Sequence, residues 1–562
     1  MYSRPIVVIS GKTGSGKSDL TTLLAREYSF HAIRTRDVLA ARAGRTASRR
    51  ALLDKGRELD RDTGHDWVVA EVAEQIRKLP PHMGVVVDHV SGPAQVEAFR
   101  TKFGASVLHV HLWASADSLR DRYSIEVGHR VDEAEYAAID HLRDDDTVLR
   151  LKHDADVRIN TDRSDARDTL VRVAARLHLF TPPEVRCVDV IIGGQYGSEG
   201  KGNVVGYLAR EYDVMVRVGG PNAGHTVASA AGNYTYHHLP SGSRDVTARI
   251  LLGPGMTIWL EGLLQEIDDC GITAERLFID PQAIIIEQAD KDAEKRVVSH
   301  IGSTGSGSGA AAARRITDRE LSTVRLARDE PALRDYVGQD GNWRGSTTER
   351  LEEAYRSGHS ILLEGTQGSG LSIFHGEYPH VTSRDTNVAG CLAEAGISPS
   401  RVRKILMVIR PMPIRVGDPD GTSGKTSGPL KHPTTFDNIA ADAKLVAASL
   451  HAAEKTSTTK RKRRVGWFEW EQYRKACALN APTDVVLAFA DYVEGANSNA
   501  RRFEQLGAKT IKFIEELERV AQAPVSLINT RFPREHHGVG DLRTIIDRRN
   551  WTALRNRDRD AS

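Results

Sequence analysis

Cysteine is scarce in this 562-residue chain: Cys187, Cys270, Cys391 and Cys477 are the four, and no two are spaced as C-x-x-C. Such scatter excludes the usual zinc and redox spacings and supplies no disulfide framework. Long apolar runs are also missing. No stretch reaches the ~18 residues of a membrane-spanning helix. The first residues, MYSRPIVVISGKTGSGKS, lack the apolar region and small-residue cleavage site of a secretory leader. A net charge of +2 leaves no global field for nucleic acid. The local run Lys460-Arg461-Lys462-Arg463-Arg464 is the exception, and runs of this kind usually form solvated or nucleic-acid-binding faces. The expectation is a cytoplasmic protein with no membrane partner and no direct nucleic-acid binding.

What is present is the composition of a soluble globular protein, 40% hydrophobic and 27% charged. The length implies two or three domains. Residues 5–10 read as a buried strand running into a glycine loop, with a helical stretch from Lys17. Val85-Val86-Val87-Asp88 and Val107-Leu108-His109-Val110-His111-Leu112 read as further buried strands with helical patterns between them. Alternation of this kind predicts a parallel, doubly wound α/β sheet. Phe180-Thr181-Pro182-Pro183-Glu184 is a turn-forming break. A second strand, Val188-Asp189-Val190-Ile191-Ile192, then enters a second glycine loop. The predicted division is 1–180 and 187–562. The Ser/Gly/Ala-rich segment 302–313 reads as a flexible surface loop, and residues 547–562 as a fraying end.

Gly11-Lys12-Thr13-Gly14-Ser15-Gly16-Lys17-Ser18 satisfies G-x-x-x-x-G-K-[ST] between a strand and a helix. Gly11, Gly14 and Gly16 let backbone N–H groups turn toward phosphate oxygens, and the helix N-terminus adds positive potential. Lys17 would reach the β and γ phosphates, and Ser18 would bind Mg²⁺. Thr35-Arg36-Asp37, Asp88 at a strand end, Leu119-Arg120-Asp121-Arg122, and the segment from Asp154 to Asp162 resemble features of P-loop nucleoside monophosphate kinases. That resemblance implies a small-molecule phosphotransferase in which Arg120 and Arg122 hold the moving phosphoryl group. A degenerate or regulatory NTPase domain is the competing reading.

The rest of the chain carries an ordered set of motifs. They are Gly194-Gln195-Tyr196-Gly197-Ser198-Glu199-Gly200-Lys201-Gly202, Arg217-Val218-Gly219-Gly220-Pro221-Asn222-Ala223-Gly224-His225-Thr226, and His238-Leu239-Pro240-Ser241-Gly242. Ile301-Gly302-Ser303-Thr304-Gly305, Leu363-Glu364-Gly365-Thr366-Gln367-Gly368, Tyr378-Pro379-His380-Val381-Thr382-Ser383 and Thr458-Thr459-Lys460-Arg461-Lys462-Arg463-Arg464-Val465-Gly466-Trp467 follow. In this order they resemble the adenylosuccinate synthetase family. The resemblance implies a ligase that phosphorylates O6 of a purine nucleoside monophosphate with a nucleoside triphosphate, GTP or ATP, and lets L-aspartate displace the phosphate.

The same resemblance implies the roles. Gly197, Glu199, Gly200, Gly202, Arg463 and Asp491 would contact the donor nucleotide, with Lys201 on its γ-phosphoryl group. Ser198 and the carbonyl of Gly224 would bind Mg²⁺. His225 would stabilise charge at O6, and Gln367 would meet the 6-oxo edge. Asn222, Thr304 and Thr382 match nucleotide and 5′-phosphate contacts, and the backbone of Arg415 and Val416 matches the sugar side. Arg461, with Thr458 and Thr459, would clamp the aspartate carboxylates, because a guanidinium fork matches a carboxylate. A homodimer is implied, with Arg314 or Arg315 reaching the neighbour's 5′-phosphate site.

The departures from the family pattern are specific. Its first loop carries an aspartate that takes the proton from N1; here that position is Ser198, and a later lysine is Asn203. A serine hydroxyl is a very poor base near neutral pH and can donate as well as accept. Either catalysis is lost, leaving a nucleotide-sensing protein, or the purine differs. A viral branch that converts dGMP to N6-succino-2-amino-2′-deoxyadenylate has serine there, and the chain resembles it. A small hydroxyl leaves room for the guanine 2-amino group. The ordinary IMP-using activity is the alternative. Ser306 replaces a family arginine, and Ala488-Phe489-Ala490-Asp491 replaces the donor-base motif, which leaves the donor base open.

Overall fold

The computed structural model describes the chain apart from residues 1–3, 44–48, 141–144, 230–231, 302, 320–322, 339–344, 418–426, 456–461, 533–534, 537–538, 541–542 and 555–562. It contains two compact units, Met1–Phe180 and Thr181–Ser562.

In the first unit, β1 (Ile6–Ser10), β2 (His31–Ile33), β3 (Val85–Val87), β4 (Val107–Trp113) and β5 (Val157–Asn160) form a parallel sheet in the order β2-β3-β1-β4-β5. The valine and isoleucine runs are apolar on both faces because helices cover both. Ile6 and Val8 pack with Val68, Val72 and Phe99 on one side, and Val7 and Ile9 with Leu20, Leu24, Leu170 and Val173 on the other. The chain winds outward from β1 in both directions. This places the loop after β1, at its C-terminal end, where a doubly wound sheet opens its crevice. One polar cluster interrupts the core. The Ser10 hydroxyl lies 2.7 Å from His109 Nε2 and 2.8 Å from His111 Nδ1. Burial lowers both imidazoles, His109 to about 4 and His111 to about 3, with the charge of Arg100 adding to the first and that of His109 to the second.

In the second unit, the strands of the main sheet are β6 (Val188–Gly193), β7 (Val214–Arg217), β8 (Arg249–Leu252), β9 (Leu277–Ile279), β10 (Ile361–Glu364), β11 (Val402–Ile409), β12 (Asp484–Leu487), β13 (Val525–Asn529) and β14 (Ile545–Asp547). They form one sheet ordered β9-β8-β7-β10-β6-β11-β12-β13-β14, parallel except for the edge strand β14. Central β6 lies between β10 and β11. Val188, Val190 and Ile192 face one core layer and Ile191 the other. The expectation of a parallel α/β sheet in the first unit and an α/β fold in the second holds.

Two readings of local structure are corrected. Residues Ser308–Thr317 form a helix rather than a surface loop. Glu294 stabilises its start, accepting backbone N–H groups of Gly307 at 2.9 Å and Gly309 at 2.6 Å. A run of small residues carries no amphipathic pattern, so the helix is set by this distant carboxylate and by Ala311 in the core. Residues 547–554 do not fray as a block. Asp547 ends β14, and the Trp551 indole donates to Asp484 Oδ1 at 3.0 Å. Among the described residues no helix is long and apolar enough to cross a membrane, and all four cysteines are free thiols.

Candidate active site

The C-terminal ends of the central strands of the larger sheet open onto a cavity of about 1450 Å³. Each strand feeds it a segment. The loop after β6 brings Gly197, Ser198, Gly200, Lys201 and Gly202; the segment after β7 brings Asn222, Gly224 and His225; and the loop after β10 brings Gln367. Beyond β12 and β13 come Phe489, Asp491 and Arg531. Thr304, Thr382, Val416 and Arg463 also line the wall.

The loop after β6 is shaped by glycine and by one buried carboxylate. Gly197 (φ 97°) and Gly200 (φ 89°) take left-handed conformations that a side chain would strain. The helix Lys201–Leu208 starts directly afterward. Glu199 was expected among the donor-nucleotide contacts, yet it does not line the cavity. Its Oε1 accepts from the N–H groups of Gln195 (3.0 Å) and Gly197 (2.8 Å), and Oε2 accepts from Lys201 Nζ at 2.7 Å. It therefore holds the loop's shape from beneath. Arg415 is likewise buried away from the cavity, with its guanidinium 4.2 Å from the Tyr196 ring centroid and donating to the carbonyls of Pro429 and His380. Only its neighbour Val416 faces the site.

His225 is pinned by two residues that the motif reading did not single out. Its Nδ1 lies 2.5 Å from Glu364 Oε1 and 2.8 Å from Arg217 Nη1, while Arg217 and Glu364 pair at 2.7 Å. The N–H and hydroxyl of Ser241 donate to the two Glu364 oxygens at 2.7 and 2.6 Å. These donors and charges hold the Glu364 carboxyl far below its usual range. Burial, helped by Arg217, lowers His225 to about 4, so its imidazole is neutral at pH 7. His225 Nε2 and both amide atoms of Gln367 are buried with no hydrogen-bond partner among the described residues. Buried polar atoms left this way are expected where a ligand supplies the partner. Gln367 also holds a left-handed backbone (φ 54°) without being glycine, a strain typical of functional turns. Glu364 and Arg217 both lay inside the quoted motifs. Only their pairing across 147 positions, which no local spacing encodes, makes them part of the site.

The remaining expected residues divide. Asn222 Nδ2 reaches the Thr382 hydroxyl at 3.5 Å, so these two meet at one end of the cavity. Arg463 faces the cavity and donates to Glu454 Oε2 at 2.8 Å. Thr458, Thr459 and Arg461 lie outside the described residues. Arg314 is engaged by Asp290 (2.8 Å), and Arg315 by the carbonyls of Pro254 and Gln282. Ser198 and Gly224 offer neutral oxygens to the cavity. Hard oxygen donors fit Mg²⁺, and with serine at 198 most of the balancing charge would come from substrate phosphates.

In the first unit, Gly16 (φ 90°) precedes the helix Lys17–Tyr28, which carries Ser18 at its second position. Lys17 Nζ donates to the carbonyls of Gly11 (2.9 Å) and Lys12 (2.8 Å). A Cβ on Gly11 would come within 2.3 Å of the Leu112 carbonyl oxygen, and one on Gly14 within 2.6 Å of that of Leu119. Asp88 accepts from the Thr35 N–H and hydroxyl at 2.9 and 3.0 Å. Burial raises its carboxyl above the usual range. The two arginines expected on the phosphoryl group are occupied otherwise. Arg120 pairs with Asp117 at 2.8 Å, and Arg122 donates to Thr161 (2.8 Å) and to the carbonyl of Gly14. Arg122 braces the glycine loop.

Fold and site together define a nucleotide-binding α/β enzyme. The sequence profile of the adenylosuccinate synthetase family matches residues 190–340 and 332–498. The adenylosuccinate synthetase of Methanococcus maripaludis strain C7 is 34% identical over 349 residues, covering 61% of this chain and 95% of the relative. That of Pyrococcus horikoshii is 33% identical over 370 residues, 64% and 98% of the two chains. Among solved structures, the cyanophage S-2L succinoaminodeoxyadenylate synthetase PurZ, bound to dGMP and to dATP as energy donor, is 28% identical with a TM-score of 0.52, covering 65% of this chain and 95% of that one. The fully ligated Plasmodium falciparum adenylosuccinate synthetase shares the fold at 20% identity and a TM-score of 0.54, covering 65% of this chain and all of its own. The chain belongs to the adenylosuccinate synthetase family. Its larger unit is a carbon–nitrogen ligase that joins aspartate to a purine nucleotide.

Proposed function

We propose that this ligase takes dGMP, L-aspartate and a nucleoside triphosphate, ATP or GTP, and makes N6-succino-2-amino-2′-deoxyadenylate through a 6-phosphoryl intermediate. The observation that carries this reading is residue 198. It faces the cavity as serine on a loop whose shape is otherwise kept by Glu199, Lys201 and the glycines. A hydroxyl leaves space beside N1 for a 2-amino group, where a carboxylate would crowd it. The dGMP-bound phage PurZ structure supports the same choice.

Loop amides and Lys201 hold the transferring phosphoryl group. Gln367 presents its unpartnered amide to the purine 6-edge. Glu364 holds His225 through Nδ1 and so orients its Nε2 toward the purine O6 and the transferring phosphoryl group. Ser198 and the Gly224 carbonyl would hold Mg²⁺ together with substrate oxygens, and the ion would neutralise polyphosphate charge. Asn222, Thr304 and Thr382 take the 5′-phosphate, and Arg461, Thr458 and Thr459 the aspartate. Two copies assemble as a homodimer. Residues 1–180 form a separate P-loop nucleotide kinase, which supplies the monophosphate or phosphorylates the product, and residues 187–562 form the ligase.

The test is aspartate-dependent phosphate release with dGMP or IMP. The wild type turns over dGMP. Ser198→Asp raises the kcat/KM ratio of IMP to dGMP by about tenfold or more. Wild-type turnover of IMP but not dGMP defeats the substrate assignment.

A further inference from the structure

In one wall of the ligase cavity, three side chains converge on a single carboxylate. Glu454, only 4% exposed, follows the helix Ala447–Ala453. Its Oε1 accepts from Arg410 Nη2 at 2.7 Å and from the Tyr492 hydroxyl at 2.6 Å, and its Oε2 accepts from Arg463 Nη1 at 2.8 Å. These partners hold its carboxyl down at about 2.

Arg410, 1% exposed, reaches in the other direction. Its guanidinium lies 4.3 Å from the Phe489 ring centroid and 5.1 Å from that of Tyr492. Its Nη1 donates to the carbonyl of Ser198 at 3.1 Å. Its backbone N–H and carbonyl are both engaged by the Gln195 side chain, at 3.0 and 2.9 Å. One carboxylate thus connects the loop that carries residue 198 to Arg463 on the cavity wall. Two guanidinium charges meet one carboxylate charge, so the group keeps one positive charge. Arg463, Glu454 and Tyr492 line the cavity, and Arg410 lies behind them. A buried pair of this kind is held firmly once formed, because removing the acid would leave its cations uncompensated.

We propose that Glu454 is a positioning residue of the ligase. Through Arg410 it fixes the Ser198 carbonyl, and directly it aims the Arg463 guanidinium at the polyphosphate of the donor nucleotide. The inference rests on the reading of the cavity given above. It differs from a purely structural ion pair in predicting a selective effect on one substrate.

The experiment compares full-length wild type, Glu454→Gln, Arg463→Gln and the double variant, with KM measured separately for nucleoside triphosphate, aspartate and purine monophosphate. Glu454→Gln is expected to raise the triphosphate KM about tenfold and the monophosphate KM less than about twofold. In the Arg463→Gln background it should add little further. Equal shifts in all three KM values, or an undiminished effect in that background, overturn the proposal. If Glu454→Gln does not fold, Tyr492→Phe removes one hydrogen bond to the same carboxylate while keeping the ring against Arg410. The same split, about two- to fivefold, is then expected, and its absence is equally fatal. A wild type without aspartate-dependent phosphate release removes the ligase reading itself, whereas a turning-over wild type without the split removes only this inference.

Discussion

The two glycine loops begin alike and differ in what holds their lysine. Each follows a strand, reaches a left-handed glycine (Gly16 at φ 90°, Gly200 at φ 89°) and places lysine at the first helical position. Lys17 is partly exposed and rests on loop carbonyls. Lys201 is 2% exposed and paired with Glu199. A carbonyl dipole gives up a lysine to an arriving phosphate at small cost, whereas a carboxylate must share it. The first loop is therefore suited to nucleotides that enter and leave. The second has its lysine placed in advance and shielded from water, an arrangement suited to charge that develops during a reaction.

The largest effect that could break this contrast is on turnover. Lys201→Ala should lower aspartate-dependent phosphate release by about 10³-fold and leave nucleotide binding to the first unit unchanged. Lys17→Ala should do the converse, weakening that binding by about 10²-fold with the ligase rate intact. Calorimetric titration of nucleotide beside the phosphate assay reads both, and a shared loss in either variant would dissolve the distinction.

Stability sharpens it next. Glu199→Gln strands a buried lysine charge and should cost about 3 kcal/mol, partly restored by nucleoside triphosphate. Lys17→Met should cost under about 1 kcal/mol. Denaturant titration gives both values.

The smallest effect concerns acid. His109 and His111 have folded pKa values of about 4 and about 3, below the ordinary 6.5. The unfolded chain takes up protons that the folded first unit refuses, so stability is full above pH 6.5 and falls as pH drops toward 4 and 3. The slope should be of order 1 kcal/mol per pH unit for each imidazole. Melting curves at pH 7, 6 and 5 should flatten in His111→Gln; an unchanged slope would remove the buried pair as its source.

Motifs in which chemistry is contiguous were readable in advance. Gly11 to Ser18 and Gly194 to Gly202 each follow a strand and lead through a loop into a helix, and the structure builds them so. Roles that depend on distant partners were not readable. Glu199 looks like a ligand contact from its place in the loop, yet its carboxylate turns beneath toward three donors of that loop. Arg122 sits at lid-like spacing but finds Thr161 and Gly14. Arg415 stacks on Tyr196 because a buried guanidinium needs several acceptors at once. The Glu364–His225–Arg217 group joins the ends of β7 and β10, which become neighbours only through the strand order.

That order also decides how the larger sheet stops. Its last strand, β14, runs against its neighbour and is three residues long. Directly beyond it, Arg549 is gripped by Asp547 and Glu211 at 2.7 and 2.5 Å. So brief and charged a border gives another polypeptide's backbone little to add to. Pairing of two copies by backbone across this rim is therefore disfavoured, and so is a growing ladder of sheets through it.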